Sequence, residues 1–228
     1  MQTTRVPVLQ RIRVRFSPQS ELYRAERDSD RIIGDTDAVI SQFVAGGDRS
    51  DVTVKAVFAE LSQRYEAAAN CYQRCIEIVG GSGRTAESAR EAQAQMLTYA
   101  SREACNYDKE RAGLLMLRAQ EAASENRHSS ERGTREGANW KLFWIAFDFG
   151  DYEGGRRAAA RLRTGRPDLY RIAGTVIKEP RAWTGVPTVP YPKWWPSGAG
   201  TAGGPTPALR VYAKERGLSS APDSLGLT

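Results

Sequence analysis

Chemistry needs reactive side chains that can act together, and few residues of this chain offer that. Cys71 and Cys75 lie four apart, so a helix would put both thiols on one face. No histidine or second cysteine pair completes a metal site, and the two read as small core residues. The one histidine, His128, sits in a polar stretch without a partner for general-base work. No Ser/His/Asp or Cys/His grouping can be built around it. Gly80-Gly81-Ser82-Gly83-Arg84-Thr85 precedes a helix, as a phosphate cradle would, but lacks the Gly-Lys-Ser/Thr ending, so it reads as a turn. Three cysteines in 228 residues exclude zinc ribbons and a disulfide scaffold. Carboxylates that meet only in the fold stay open. The expectation is a protein that is not an enzyme, with no cofactor and no metal.

Binding is better represented than catalysis. The net charge of +6 is unevenly spread: residues 1–16 carry +4, 17–155 carry −6, 156–181 carry +6 and 182–228 carry +2. Arginine outnumbers lysine 27 to 6, a bias that suits bidentate contacts at an interface and that high genomic GC content would equally produce. In the second basic segment Arg157 and Arg161 share a helix face, with Arg156 and Arg163 to either side. Such a stripe fits a solvated helix end, a protein contact or RNA phosphates.

Eight of the 11 prolines lie between 180 and 228, together with Trp183, Tyr191, Trp194 and Trp195. Proline-rich chain is extended, yet a free linker rarely carries three tryptophans. The tail is expected to lie across a surface, either its own domain's or a partner's. Arg156, Arg157, Arg161, Arg163, Trp183, Tyr191, Trp194 and Trp195 are the expected partner-binding residues.

The elements that must position these residues are helical. Ser17-Pro18 opens a helix that runs to Ile33, and a second ends at Gly46-Gly47. Helices are expected from Ser50 or Asp51 through Leu61, over 65–79, 85–105 and 108–125, the last with Leu114 and Leu115 available to the core. Residues 126–137 read as an exposed loop, 138–149 as an aromatic helix and 151–164 as its basic partner, with a short helix after Pro167. The fold class is all-α: an extended basic arm (1–16), a helical-repeat domain (17–179), and an extended docking tail with a short helix (180–228). No apolar run approaches the roughly 20 residues of a membrane span. The arm is rich in arginine and free of acids, which points to the mitochondrial matrix, although Arg11-Ile12-Arg13-Val14-Arg15-Phe16 alternates with period 2 where a presequence helix needs 3.6.

Three stretches share a Tyr-acid step at an expected helix-helix turn: Arg64-Tyr65-Glu66, Asn106-Tyr107-Asp108 and Asp151-Tyr152-Glu153. With Ala146-Phe147-Asp148-Phe149-Gly150-Asp151-Tyr152-Glu153 and the ending Gly165-Arg166-Pro167-Asp168-Leu169-Tyr170, they resemble tetratricopeptide and pentatricopeptide repeats. The resemblance covers residues 51–177 and is specific over the last third. It implies antiparallel helix pairs that bind proteins or, in pentatricopeptide arrays, single-stranded RNA. Only one such unit is clear, and Trp140 occupies the region where a polar base reader would stand. The chain is also similar in size and character to the extra pentatricopeptide-like subunit on the F1 head of euglenozoan mitochondrial ATP synthase. That resemblance implies an accessory subunit of a large assembly, contacting protein subunits such as the F1 α subunit. The alternative, implied by the pentatricopeptide resemblance, is an organellar single-stranded RNA-binding protein.

Overall fold

A computed structural model describes residues 17–34, 36–48, 50–179, 183 and 207–220. The regular structure of these residues is helical, and an isolated bridge between Asp151 and Ser220 is the one strand-like pairing among them. The basic arm, Tyr191, Trp194 and Trp195 lie outside the described residues.

Helix starts follow local chemistry. The Ser17 hydroxyl accepts from the Ser20 amide at 3.2 Å and Pro18 occupies the first turn, which opens α1 (Pro18–Ile33). After α2 (Thr36–Gly46), Ser50 caps α3 (Asp51–Ile78) in the same way. The 28 residues of α3 form one rod of about 42 Å, where two helices were expected. No glycine or proline stands between Asp51 and Val79, so Tyr65-Glu66 lies mid-helix and is not a turn. The rod stops at the glycines: Gly80 and Gly81 take φ of 80° and 71°, and the Gly81 amide donates to Ile76 O at 2.8 Å. The 80–85 stretch is therefore a turn, held also by Arg90 donating to Gly81 O.

α4 (Arg84–Ala104) runs antiparallel to α3, with Ser62 Oγ donating to Ala100 O at 2.8 Å and Gln93 Nε2 to Gln73 Oε1 at 2.7 Å. Fully buried Ala86, Ala89, Ala94, Ala100 and Ala104 let the backbones come close. α5 (Lys109–Asn126), capped by Asp108, reverses again, and Ser101 Oγ donates to Ala112 O at 2.7 Å. It buries Leu115, whereas Leu114 faces solvent.

The loop expected over 126–137 is only 127–131, because α6 begins at Arg132 (Arg132–Phe149). Three contacts hold this early start. Ser129 Oγ accepts from the Glu131 amide at 3.0 Å, Arg135 donates to Ser129 O at 2.8 Å, and Arg132 pairs with Glu136 at 2.6 Å. α7 (Tyr152–Leu162) and α8 (Pro167–Ile177) complete the series. At the α6–α7 turn Gly150 is left-handed and Asp151 Oδ1 accepts from the Gly154 amide at 2.9 Å. Of the three Tyr-acid steps, those at 106–108 and 151–153 do lie at turns.

The described part of the C-terminal region is bound to its own domain. α9 (Pro207–Glu215) packs on α5 and α6 through Leu209, Tyr212 and Ala213. The Tyr212 ring rests against Gly113, where any Cβ would strike it. Ser220 then closes the α6–α7 turn: its carbonyl accepts from the Tyr152 amide at 3.1 Å and its hydroxyl donates to Asp151 Oδ1 at 2.6 Å.

Candidate binding cleft between α4 and α6

α4 and α6 run parallel, in one register. Gln95 meets Lys141, Arg102 meets Asp148, and Glu91 lies against Gly137, each pair separated by 46 residues. Between them opens a cleft of about 720 Å³. Its α6 wall carries Trp140 and Trp144, whose ring centroids lie 5.3 Å apart at 84°. Ile145, Ala92 and the Gln95 side chain are also part of the lining. Positions 137, 140, 141, 144, 145 and 148 follow helical spacing, so one face of α6 makes the wall while Phe143 and Phe147 turn inward to the core.

The floor is ionic. Arg102 Nη2 stands 3.3 Å from Asp148 Oδ2, and the Asp148 side chain is 1% exposed. Burial pushes the Asp148 carboxyl up, while Arg102 and Arg210 pull it back down. Arg210 reaches this region from α9 and donates to Phe147 O at 2.8 Å, and burial lowers its guanidinium to about 10. Asp148 Oδ1 has no hydrogen-bond partner among the described residues. Lys141 donates to Gln95 Oε1. Burial brings its ammonium down to about 8, Glu91 opposes that shift and Arg102 adds to it. Next along α4, burial raises Glu103 to about 7 against the pull of Arg102. Hydrogen-bond donors and aromatic faces thus converge on one concavity, which equips it to bind.

The expected partner-binding residues are dispersed. Arg156, Arg157, Arg161 and Arg163 are exposed on and just after α7. Arg156 is engaged, 3.4 Å from Glu153 and stacked over Tyr152, but Arg157, Arg161 and Arg163 form no ion pair among the described residues. Trp183 is different. It is 2% exposed, its ring meets Phe143, Phe147 and Tyr152, and its Nε1 donates to Val176 O at 3.1 Å. Its own domain takes it up, and Gly155 leaves the space for its ring. It is therefore a core residue and not an exposed contact for a partner.

Cys71 and Cys75 are buried free thiols, and His128 is exposed beside Arg127. Among the described residues, no group of three or more His, Cys, Asp or Glu is placed to hold a metal ion, and no helix is long and apolar enough to cross a membrane.

Family models, curated proteins and solved structures yield no match to this chain. Its role must be argued from its own residues.

The cleft was not among the sequence expectations. Lys141 and Asp148 interrupting an aromatic helix were the available signal, and the 46-residue step to Gln95 and Arg102 was the other. Asn139, next to the expected reader position, turns inward and donates to Arg135 O at 2.8 Å, so only Trp140 of that pair reaches the cleft.

Proposed function

We propose that this protein is a non-catalytic helical scaffold, an accessory subunit of a large protein assembly. The favoured setting is the F1 periphery of mitochondrial ATP synthase in the matrix, with the F1 α subunit as neighbour. The observation that carries the proposal is the bare cationic face at the end of the helical series. Arg157, Arg161 and Arg163 are exposed and form no ion pair among the described residues. Several other exposed arginines are neutralised locally, among them Arg118 by Glu66 at 2.6 Å and Arg166 by Asp168, whose carboxyl that contact lowers to about 2. Arg31, Arg74 and Arg171 are exposed without an ion pair among the described residues, but singly and not clustered on and just after one short helix. An unpaired arginine fork suits a carboxylate-bearing partner surface. The paired antiparallel helices suit a tetratricopeptide- or pentatricopeptide-like scaffold, although the 46-residue step from α4 to α6 is longer than the roughly 34 residues of a tetratricopeptide unit.

The test is incorporation of a charge-reversed chain. Arg157→Glu with Arg161→Glu alters two exposed side chains, so folding is preserved. The variant is expected to drop out of the native assembly while remaining a stable monomer. Normal incorporation refutes the proposal. The same arginines serve the alternative, an organellar single-stranded RNA binder. Submicromolar RNA affinity that weakens steeply with salt, without a protein partner, would favour that role.

A further inference from the structure

We propose that the α4–α6 cleft binds a small aromatic carboxylate, its ring against Trp140 and Trp144 and its carboxylate on the Lys141 ammonium. This site is independent of the cationic face on α7 and goes beyond the scaffold role.

Size comes first. A cleft of about 720 Å³ falls within the roughly 300–1,000 Å³ typical of small-molecule sites. The near-perpendicular Trp140 and Trp144 rings offer one face and one edge, a corner that a flat ring fills by offset stacking and edge contact.

Charge chooses the polar group. Asp148 is the buried carboxylate of the floor, and two guanidiniums, Arg102 and Arg210, already act on it. Lys141 is left with a neutral amide oxygen, Gln95 Oε1, as its hydrogen-bond partner. The acid that acts on Lys141 is Glu91, exposed on the rim where water screens it. An ammonium has three donors and one is used here, so two are left without a partner among the described residues. A carboxylate meets them with charge-assisted bonds. A cationic ligand would meet Lys141 and Arg102 as like charges, and a neutral one would leave the ammonium uncompensated. The lowered ammonium agrees with a group desolvated in advance of its counter-ion.

Gly137 lines the cleft. A Cβ there would meet the Glu91 carboxylate, Oε1 at 3.2 Å and Cδ at 3.9 Å, at the end of an exposed side chain. A larger side chain at this lining position would take up room in the cleft.

The experiment is calorimetric titration of the full chain with 2-naphthoate, 2-naphthamide and 2-naphthylmethylammonium, three ligands of one shape and different charge. The expected result is one site for 2-naphthoate, with a Kd below about 100 μM and at least about tenfold weaker binding of the other two. Lys141→Met is expected to lose about tenfold or more for 2-naphthoate and to abolish the preference over the amide. Gly137→Leu, which leaves Lys141 intact, is expected to block all three. Absence of 2-naphthoate binding at millimolar concentration overturns the proposal. So does equal binding of the amide, or unchanged affinity in a folded Lys141→Met protein.

Discussion

Replacing Lys141 with methionine should make the protein more stable. Lys141 lines the cleft with Trp140, Trp144 and Ile145, and its ammonium is brought from 10.5 down to about 8, chiefly by burial. Lowering the ammonium from 10.5 to about 8 corresponds to an upper bound of about 3 kcal/mol against the charged folded state. Part of the side chain still reaches water, and the bond to Gln95 is lost, so a net gain of about 1–2 kcal/mol is expected at pH 7. Methionine has similar length, no charge, and contacts aromatic rings well. In a chain of this size the gain raises Tm by about 3–6 °C. The pH dependence fixes the cause. A lysine whose folded pKa is lowered is penalised in full below about 8, and the penalty fades as pH rises from there to 10.5, where both states are neutral. Thermal melts of both proteins from pH 7 to pH 10.5 should therefore show curves that converge. A methionine variant less stable than its parent at pH 7, or a gap constant to pH 10.5, refutes the reasoning. A lysine kept at such a cost is what a binding residue looks like.

Other outcomes follow from the packing. Trp183→Ala removes a ring buried against Phe143, Phe147 and Tyr152 and should cost about 3–5 kcal/mol in chemical denaturation; a loss under about 1 kcal/mol would mean that the ring is not seated there. Gly113→Ala drives a methyl group into Tyr212, so α9 should loosen at a cost of about 1–3 kcal/mol, seen as faster amide exchange over 207–215. Burial raises the folded Glu103 carboxyl from 4.5 to about 7, so its neutral form is favoured and stability should fall as pH rises through that window, by up to about 3 kcal/mol. Glu103→Gln should flatten that part of the stability profile, and an unchanged slope would contradict the assignment.

Much of the helical content was legible because its signals are local. Ser17-Pro18, Asp108, Gly80-Gly81 and Gly150-Asp151 start or stop helices through their own side chains or φ values, and each does so in the structure. Two boundaries were misjudged where local cues mislead. Tyr65-Glu66 looks like the later turn sequences, but only a glycine or proline would have broken α3 there. Gly133 and Gly137 look like loop residues, yet α6 runs through both, with Arg132–Glu136 bracing its first turn and Glu91 of α4 lying against Gly137. Trp183 could be assigned to a surface-lying tail, but which surface depended on Gly155 and the Phe143–Phe147 face arriving beside it. The cleft was least visible. Its polar groups come from helices 46 residues apart, and neither the Gln95–Lys141 nor the Arg102–Asp148 pair has a local signature.

The central claim, that the chain works as one subunit among many, is tested most directly by its native size. Gentle extraction from its source cells, followed by native electrophoresis and identification of what co-migrates, gives that size and the partners together. The account predicts that the chain runs in a complex many times its own 25.2 kDa, with a neighbour whose acidic surface cross-links to the Arg157–Arg161 face. Recovery of the whole pool as a free 25.2 kDa monomer would contradict it.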